Sequence, residues 1–141
     1  MNNNIFEAME TQENYKLGNW VNWKSSKGEE HASLPINTGE KPIRIKSIKD
    51  KTINGHPLQE ISPVPLTTDL LTKCGFEETA SPYLYRHSLF PTFEVELSDR
   101  YSWHFYYKPA GASSLQLTGV HHLQNLFEQV TGYALNVAIT E

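Results

Sequence analysis

The sequence predicts an α+β fold in which an antiparallel sheet is covered by a helix, and three observations carry that expectation. Val120, Leu123, Leu126, Phe127 and Val130 recur at helical spacing ahead of Gly132. At ~100° per residue they form one apolar stripe, with His121, Gln124, Asn125 and Glu128 on the other side. Residues 93–107 instead alternate: Phe93, Val95, Leu97, Tyr101, Trp103 and Phe105 share one face, and Glu94, Glu96, Ser102, His104 and Tyr106 the other. That is the pattern of half-buried antiparallel strands. A second, shorter helix is marked by Thr67 as N-cap, Asp69 in the first turn and Gly75 at the end. Helices set apart from a run of strands, without β-α-β alternation, define the α+β class.

Each element can be justified in chain order. Residues 1–14 are rich in Asn, Glu and Gln, with Ile5, Phe6 and Met9 as the large apolar residues after the initiator. The expectation is a flexible arm, with a short helix Ile5–Glu13 docked on a partner as the alternative. Leu17-Gly18-Asn19-Trp20-Val21-Asn22-Trp23 starts the ordered structure, with Gly18-Asn19 as a turn pair. Lys24–Gly39 reads as a polar loop. Ile43-Arg44-Ile45-Lys46 alternates as a strand, and Ile48 extends its apolar set. Ile53-Asn54-Gly55-His56 carries the strongest hairpin signal, because Asn-Gly suits a turn whose two central residues need φ > 0. Pro57 places the following strand at a sheet edge. Residues 15–62 are therefore expected to form a small hairpin- or barrel-like β lobe.

Ser62-Pro63-Val64-Pro65 is a stiff extended connector. The lobe it introduces, residues 63–141, begins with helix 67–74, where Leu66 can staple to Leu71 and Phe76 can fold back past Gly75. A polar link Glu77–Pro82, a strand Tyr83–His87, the 93–107 hairpin across Ser98-Asp99-Arg100, a loop Lys108–Ser114 and a short strand Leu115–Leu117 follow. Thr118 or Gly119 can cap helix 120–131, and Tyr133–Ile139 reads as a further strand. The same residues also fit one compact domain, 15–141.

Composition narrows the function classes. A chain of 141 residues with net charge −4 lacks the positive footprint that bulk duplex DNA requires. Aromatic residues make up 11% of it, enough to build a core without disulfides or metals. Cys74 is the single cysteine, which leaves no intramolecular disulfide and no thiolate metal cluster. It reads as a small buried residue, since only Lys73 beside it would activate a thiolate. No apolar run approaches the ~20 residues of a membrane span, and Met1–Phe6 lacks the features of a secretion signal. A soluble cytoplasmic protein without membrane contact is expected.

Catalytic signatures are missing: there is no Gly-x-Gly-x-x-Gly, no Walker sequence and no nucleophile elbow. No cofactor, metal or catalytic residue is expected. The best metal candidate joins His104, His121 and His122 with Glu94 or Glu96. Adjacent His121 and His122 diverge by ~100° on a helix, however, which favours solvated polar residues over shared ligands. His121, in a first helical turn, can also be read as facing an anion. The candidate partner surface consists of Trp20 and Trp23 with Arg44, Lys46, Lys49 and Lys51, beside Lys41. Stacking on such rings is worth about 1–3 kcal/mol per base and tolerates any sequence. The competing reading has the tryptophans closing the end of a barrel and the cations solvating a sheet edge.

Three blocks resemble a family of small uncharacterised phage and prophage proteins of Bacteroidetes-type bacteria. Leu17-Gly18-Asn19-Trp20-Val21 is similar to its "IGN-aromatic-V" opening. Pro63-Val64-Pro65-Leu66-Thr67-Thr68-Asp69-Leu70-Leu71-Thr72-Lys73-Cys74-Gly75-Phe76-Glu77 resembles "PIPLTEE-ILLK-GFE". Val120-His121-His122-Leu123-Gln124-Asn125-Leu126-Phe127 with Thr131-Gly132 resembles "VHQLQNLY…LTG". The blocks span residues 17–132, while the 24–39 loop and the Asn-rich start depart from the pattern. The resemblance implies a phage-type origin and action in a bacterial cytoplasm, and it implies no activity. The expected function is a non-enzymatic accessory protein that binds a host or phage protein, with inhibition of a bacterial defence system as one such role. The alternatives are a module for single-stranded nucleic acid or a nucleotide signal, and a small enzyme.

Overall fold

The computed structural model describes residues 15–25, 40–98, 104–109 and 114–139. The fold is α+β with antiparallel sheets. The chain divides into two compact units, the division falling between Val64 and Pro65, with the second unit ending at Ile139. The expected arm at 1–14, Asp99 and Arg100 of the expected turn together with Tyr101, Ser102 and Trp103, residues 110–113 of the 108–114 loop and residues 26–39 of the 24–39 loop lie outside the described residues.

The first unit contains β1 (Trp20–Lys24), β2 (Glu40–Arg44), β3 (Ile48–Lys49), β4 (Thr52–Ile53), β5 (His56–Pro57) and β6 (Ile61–Pro63), with a 3₁₀ turn at Leu58–Glu60. These strands make two three-stranded antiparallel sheets, ordered β2-β1-β6 and β3-β4-β5, rather than a barrel. Pro42, Pro57 and Pro63 all fall in outer strands of these sheets, where a residue without an N–H removes no ladder bond. The buried centre is aliphatic: Val21, Ile43, Ile45 and Ile53, with Tyr15, Trp23, Leu58 and Ile61 packed around it. Ile48 does not join them and is 44% exposed, because the strand ends at Arg44 and a new one begins at Ile48 itself.

Turn chemistry fixes this unit. Asn54 and Gly55 have φ of 53° and 84°, and Ile53 pairs with His56 across them, as the Asn-Gly signal predicts. A second two-residue turn precedes it, Asp50-Lys51, with φ of 48° and 63° between paired Lys49 and Thr52. The Asn54 side chain also ties down the segment before β3. Its Oδ1 accepts from the backbone N–H groups of Lys46 (2.7 Å) and Ser47 (3.1 Å), and its Nδ2 donates to the Arg44 carbonyl at 2.8 Å. Gly18, at φ 87°, and Asn19 form the expected entry turn. The Gly18 N–H donates to the Ile45 carbonyl, and the Asn19 carbonyl accepts from Ile45, both at 2.8 Å.

The second unit contains α1 (Thr68–Lys73), β7 (Phe76–Glu78), β8 (Leu84–His87), β9 (Glu94–Ser98), β10 (His104–Tyr107), β11 (Leu115–Gln116) and α2 (Val120–Thr131). Its five strands form a simple antiparallel meander in chain order. Thr67 caps α1 as expected, its hydroxyl accepting from the Leu70 N–H at 3.0 Å. Gly75, at φ 95°, turns the chain into β7. That strand was not expected: Glu77 and Glu78 read as a polar link, yet they pair with Arg86 and Tyr85. Tyr83 lies in the preceding turn with φ 67°, so β8 starts one residue later than the sequence suggests.

The alternation of 93–98 and 104–107 holds. Val95, Phe105 and Tyr107 face a core completed by Leu71, Cys74, Phe76, Tyr85, Phe93, Leu117, Leu123, Phe127 and Leu135. Phe127 is its hub, with ring centroids of His87, Phe93 and Phe90 at 4.7, 5.1 and 5.3 Å. Gly132, at φ 81°, ends α2 as predicted. Two assignments on this helix change. His121 is buried at 1% exposure, and Val130 is 49% exposed. Burial follows the helix axis as well as its stripe: Gly119, Val120 and His121 are all enclosed, and Glu128, Gln129 and Val130 all stand out. Residues 133–139, expected as a further strand, form none, although Leu135 and Val137 pack on the core.

Candidate functional site

The expected partner surface lies in the first unit, and the structure separates its rings. Trp20 and Trp23 are three residues apart on β1, so they face opposite sides of the sheet. Trp20 is 5% exposed and presents no stacking face. Trp23 is half-buried and already stacked, its ring 4.1 Å from His56 at an interplanar angle of 22°. Its indole N–H donates to Glu60 Oε1 at 2.8 Å, and Lys41 Nζ stands 5.2 Å from the ring centroid. A base would have to displace His56 or Lys41. Arg44, Lys46, Lys49 and Lys51 are all exposed, so the basic half of the surface is present without a shared aromatic platform.

The metal candidate is taken apart in the second unit. Glu94 and Glu96 lie on the sheet face opposite the core, where Glu94 meets Arg86 at 2.9 Å and Glu96 meets Lys108 at 3.8 Å. His121 belongs to the helix that covers the other face. The His122 Nδ1 accepts from the Thr118 N–H at 3.2 Å. Thus the residue at the third helical position reaches back over the Gly119 N-cap, as the acid of a capping box would. Among the described residues, no three His, Cys, Asp or Glu side chains gather into a metal-binding cluster.

Two other titratable groups belong to the core. Burial pushes the Cys74 thiol up to about 11, so it remains protonated and unreactive at neutral pH. His87 sits under Gly75, its Nδ1 accepting from the Leu89 N–H at 3.1 Å. Burial lowers its pKa, opposed by a hydrogen bond to the Cys74 backbone, which leaves a neutral ring inside the aromatic cluster.

Two surface features of the second unit were not read from the sequence. One is a concavity of about 410 Å³ lined by Thr68, Asp69 and Thr72 of α1, Phe76, Glu77 and Glu78 of β7, and Tyr85 of β8. Asp69 is paired with Lys73 at 3.2 Å. Glu78 stands directly opposite Tyr85 across the β7–β8 pair. Burial, and then the Glu78 charge, hold the Tyr85 hydroxyl above its ordinary pKa. The other feature is apolar: Leu89 is 77% exposed, Tyr133 64% and Val130 49%. Phe90 joins two of these elements, with ring centroids 5.4 Å from Tyr133 and 5.3 Å from Phe127. Reading Glu77–Pro82 as a link hid the first feature. Assigning Val130 to the buried stripe hid the second.

No protein-family model, no curated protein and no solved structure matches this chain. Among the described residues no helix is long and apolar enough to cross a membrane.

Proposed function

We propose that the chain is a non-enzymatic, phage-type accessory protein that acts by binding a host or phage protein, with inhibition of a bacterial defence system as one such role. The observation that carries this reading is the apolar surface where α2 ends. Large side chains at Leu89, Val130 and Tyr133 stay in water while the same helix buries Leu123 and Phe127. Apolar groups gathered on a surface mark interaction sites more often than singly scattered ones do. The resemblance of the 17–132 blocks to phage and prophage proteins supports a bacterial cytoplasm as the setting.

The test retains host-lysate proteins on the full chain and on a Leu89→Ser/Tyr133→Ser variant, with cross-linking and a sizing column for each. A protein held by the wild type and released by the variant supports the reading. An identical set on both baits, or loss of self-association as the only change, defeats it. The exposure of Arg44, Lys46, Lys49 and Lys51 favours a second reading, binding of single-stranded nucleic acid. It predicts oligonucleotide binding that weakens as salt rises, with little quenching of Trp20 or Trp23, because the first is buried and the second already stacked on His56.

A further inference from the structure

We propose that His87 is a proton-operated latch on the β8–β9 loop, residues 88–92: its neutral ring holds Leu89 and Phe90 beside the end of α2, and a proton on Nδ1 releases them. The ring lies inside the fold, 6% exposed, and its two nitrogens have opposite roles. Nδ1 accepts from the Leu89 N–H at 3.1 Å. Nε2 lies by Gly75, and the ring's bond to the Cys74 backbone favours its charged form, which makes that bond a donation from the ring. An imidazole that accepts at one nitrogen and donates at the other is neutral. Protonation turns Nδ1 into a donor facing a donor, and the Leu89 N–H must then leave it.

The loop is built so that this one bond matters. Its ends are fixed by backbone bonds: the Ser88 N–H donates to the Gly75 carbonyl at 3.0 Å, the His87 N–H to the Phe93 carbonyl at 3.2 Å and the Phe93 N–H to the Phe90 carbonyl at 2.8 Å. Between them stands Leu89, 77% exposed, tied by its N–H to the imidazole. The Phe90 ring lies 5.7 Å from His87, 5.3 Å from Phe127 and 5.4 Å from Tyr133, so a shift at Leu89 passes to the apolar surface. An exposed residue can turn its N–H to water, which makes opening of the loop less costly than unfolding of the core.

The surroundings hold no charge that would keep a protonated ring in place. The elements packed on it present Phe76 from β7, Phe90 from the loop, Phe127 from α2 and Cys74 from the end of α1. The Cys74 thiol, pushed up to about 11, stays protonated, and Tyr85, two residues back on the same face of β8, is held neutral by burial. Arg86 points to the other sheet face and pairs with Glu94 at 2.9 Å. Among the described residues no carboxylate pairs with the His87 ring. The latch rests on the protein-binding reading only for its consequence, loss of the partner surface in acid.

The test needs no partner. NMR of the isotope-labelled full chain from about pH 7.5 to about pH 5 follows the His87 ring nitrogens and the backbone amides together. At the upper end the ring should carry its proton on Nε2. As it takes up a second proton, the Leu89 and Phe90 amides should shift with the same midpoint. Protection of the Leu89 amide, relative to the intrinsic exchange rate at each pH, should fall about tenfold, as loss of one hydrogen bond implies. The Val95 and Leu123 amides should keep theirs. His87→Gln should abolish the response at Leu89, and the wild-type titration decides alone if that variant does not fold. Three outcomes overturn the latch: a ring that stays neutral until the whole unit unfolds, a charged ring with an unmoved Leu89 amide, or loss of Leu89 protection together with that of β9 and α2. A working latch in a chain that retains no lysate protein at either pH defeats the protein-binding reading and leaves the latch standing.

Discussion

The two units reach a defined structure by different means. The first is built around a cluster of four buried aliphatic residues, and its chain path is held by turns and by side-chain amides: Asn54 alone makes three hydrogen bonds to the backbone of residues 44–47. The second gathers rings. Phe76, Phe93, Tyr107 and Phe127 pack with His87 under a helix, and polar groups are secondary. Ring packing concentrates free energy in a few side chains, whereas a turn network spreads it over backbone positions. Substitutions should therefore have their largest effects in the second unit and smaller, additive ones in the first.

Phe127 is the sharpest place to break that contrast. It is 1% exposed and touches three rings. Phe127→Ala should lower stability by about 3–5 kcal/mol, and Phe127→Asp, which buries a charge, should leave the second unit unfolded. Urea unfolding followed by circular dichroism measures the first, and amide NMR spectra the second. A native-like melt for Phe127→Asp would show that the aromatic cluster does not organise the unit.

Gly75→Ala should come next, at about 2–3 kcal/mol. It sets a side chain at φ 95° with its Cβ 3.1 Å from His87 Nε2. The same histidine gives the unit a pH dependence. Its folded pKa is lowered below the unfolded value of 6.5, so the unfolded chain takes up a proton more readily. Its contribution is fully present above about pH 6.5 and is lost as pH falls through the lower, folded value. Urea midpoints should therefore drop between pH 7.5 and 5 in the wild type, with a shallower drop in His87→Gln. Equal slopes would remove His87 as the source.

What the sequence makes legible differs between the units for the same reason. The Asn54-Gly55 turn, the Thr67 cap and the Gly132 ending depend on a few adjacent residues, and all three are found where the local chemistry places them. The burial of Trp20 and His121 and the exposure of Val130 depend on which parts of the chain come to lie over them. Periodicity assigns a side to a residue on a helix, but not whether its turn is covered. Strand β7 was hidden because Glu77 and Glu78 are polar on an outer strand, and only their pairing with Tyr85 and Arg86 makes them part of a sheet. The concavity inherits that difficulty, since two of its three carboxylates, Glu77 and Glu78, lie on the unrecognised strand. The basic side chains at 44–51 were legible as a charged surface, whereas the stack of Trp23 on His56 joins residues 33 positions apart, beyond the reach of any local pattern.

In the first unit, Asn54 separates the two contributions to its turn. Asn54→Gly keeps a residue suited to φ 53° and removes only the side-chain bonds, for a loss of about 1–2 kcal/mol. Asn54→Ala adds a left-handed backbone penalty of about 1 kcal/mol. Equal urea midpoints for the two variants would mean that the bonds to residues 44–47 carry the whole effect.

The smallest expected change has the opposite sign. Lys51 occupies the second central position of the Asp50-Lys51 turn at φ 63°, where glycine is favoured and a long side chain gains no packing. Lys51→Gly should raise stability by up to about 1 kcal/mol, set against the greater freedom glycine gives the unfolded chain. The neighbouring turn already has Asn-Gly, so the substitution makes the two hairpins chemically alike. If Lys51→Gly destabilises the protein, unfolded-state entropy outweighs left-handed strain at this position. If it stabilises the fold and also weakens oligonucleotide binding, Lys51 is held in an unfavourable conformation for its charge.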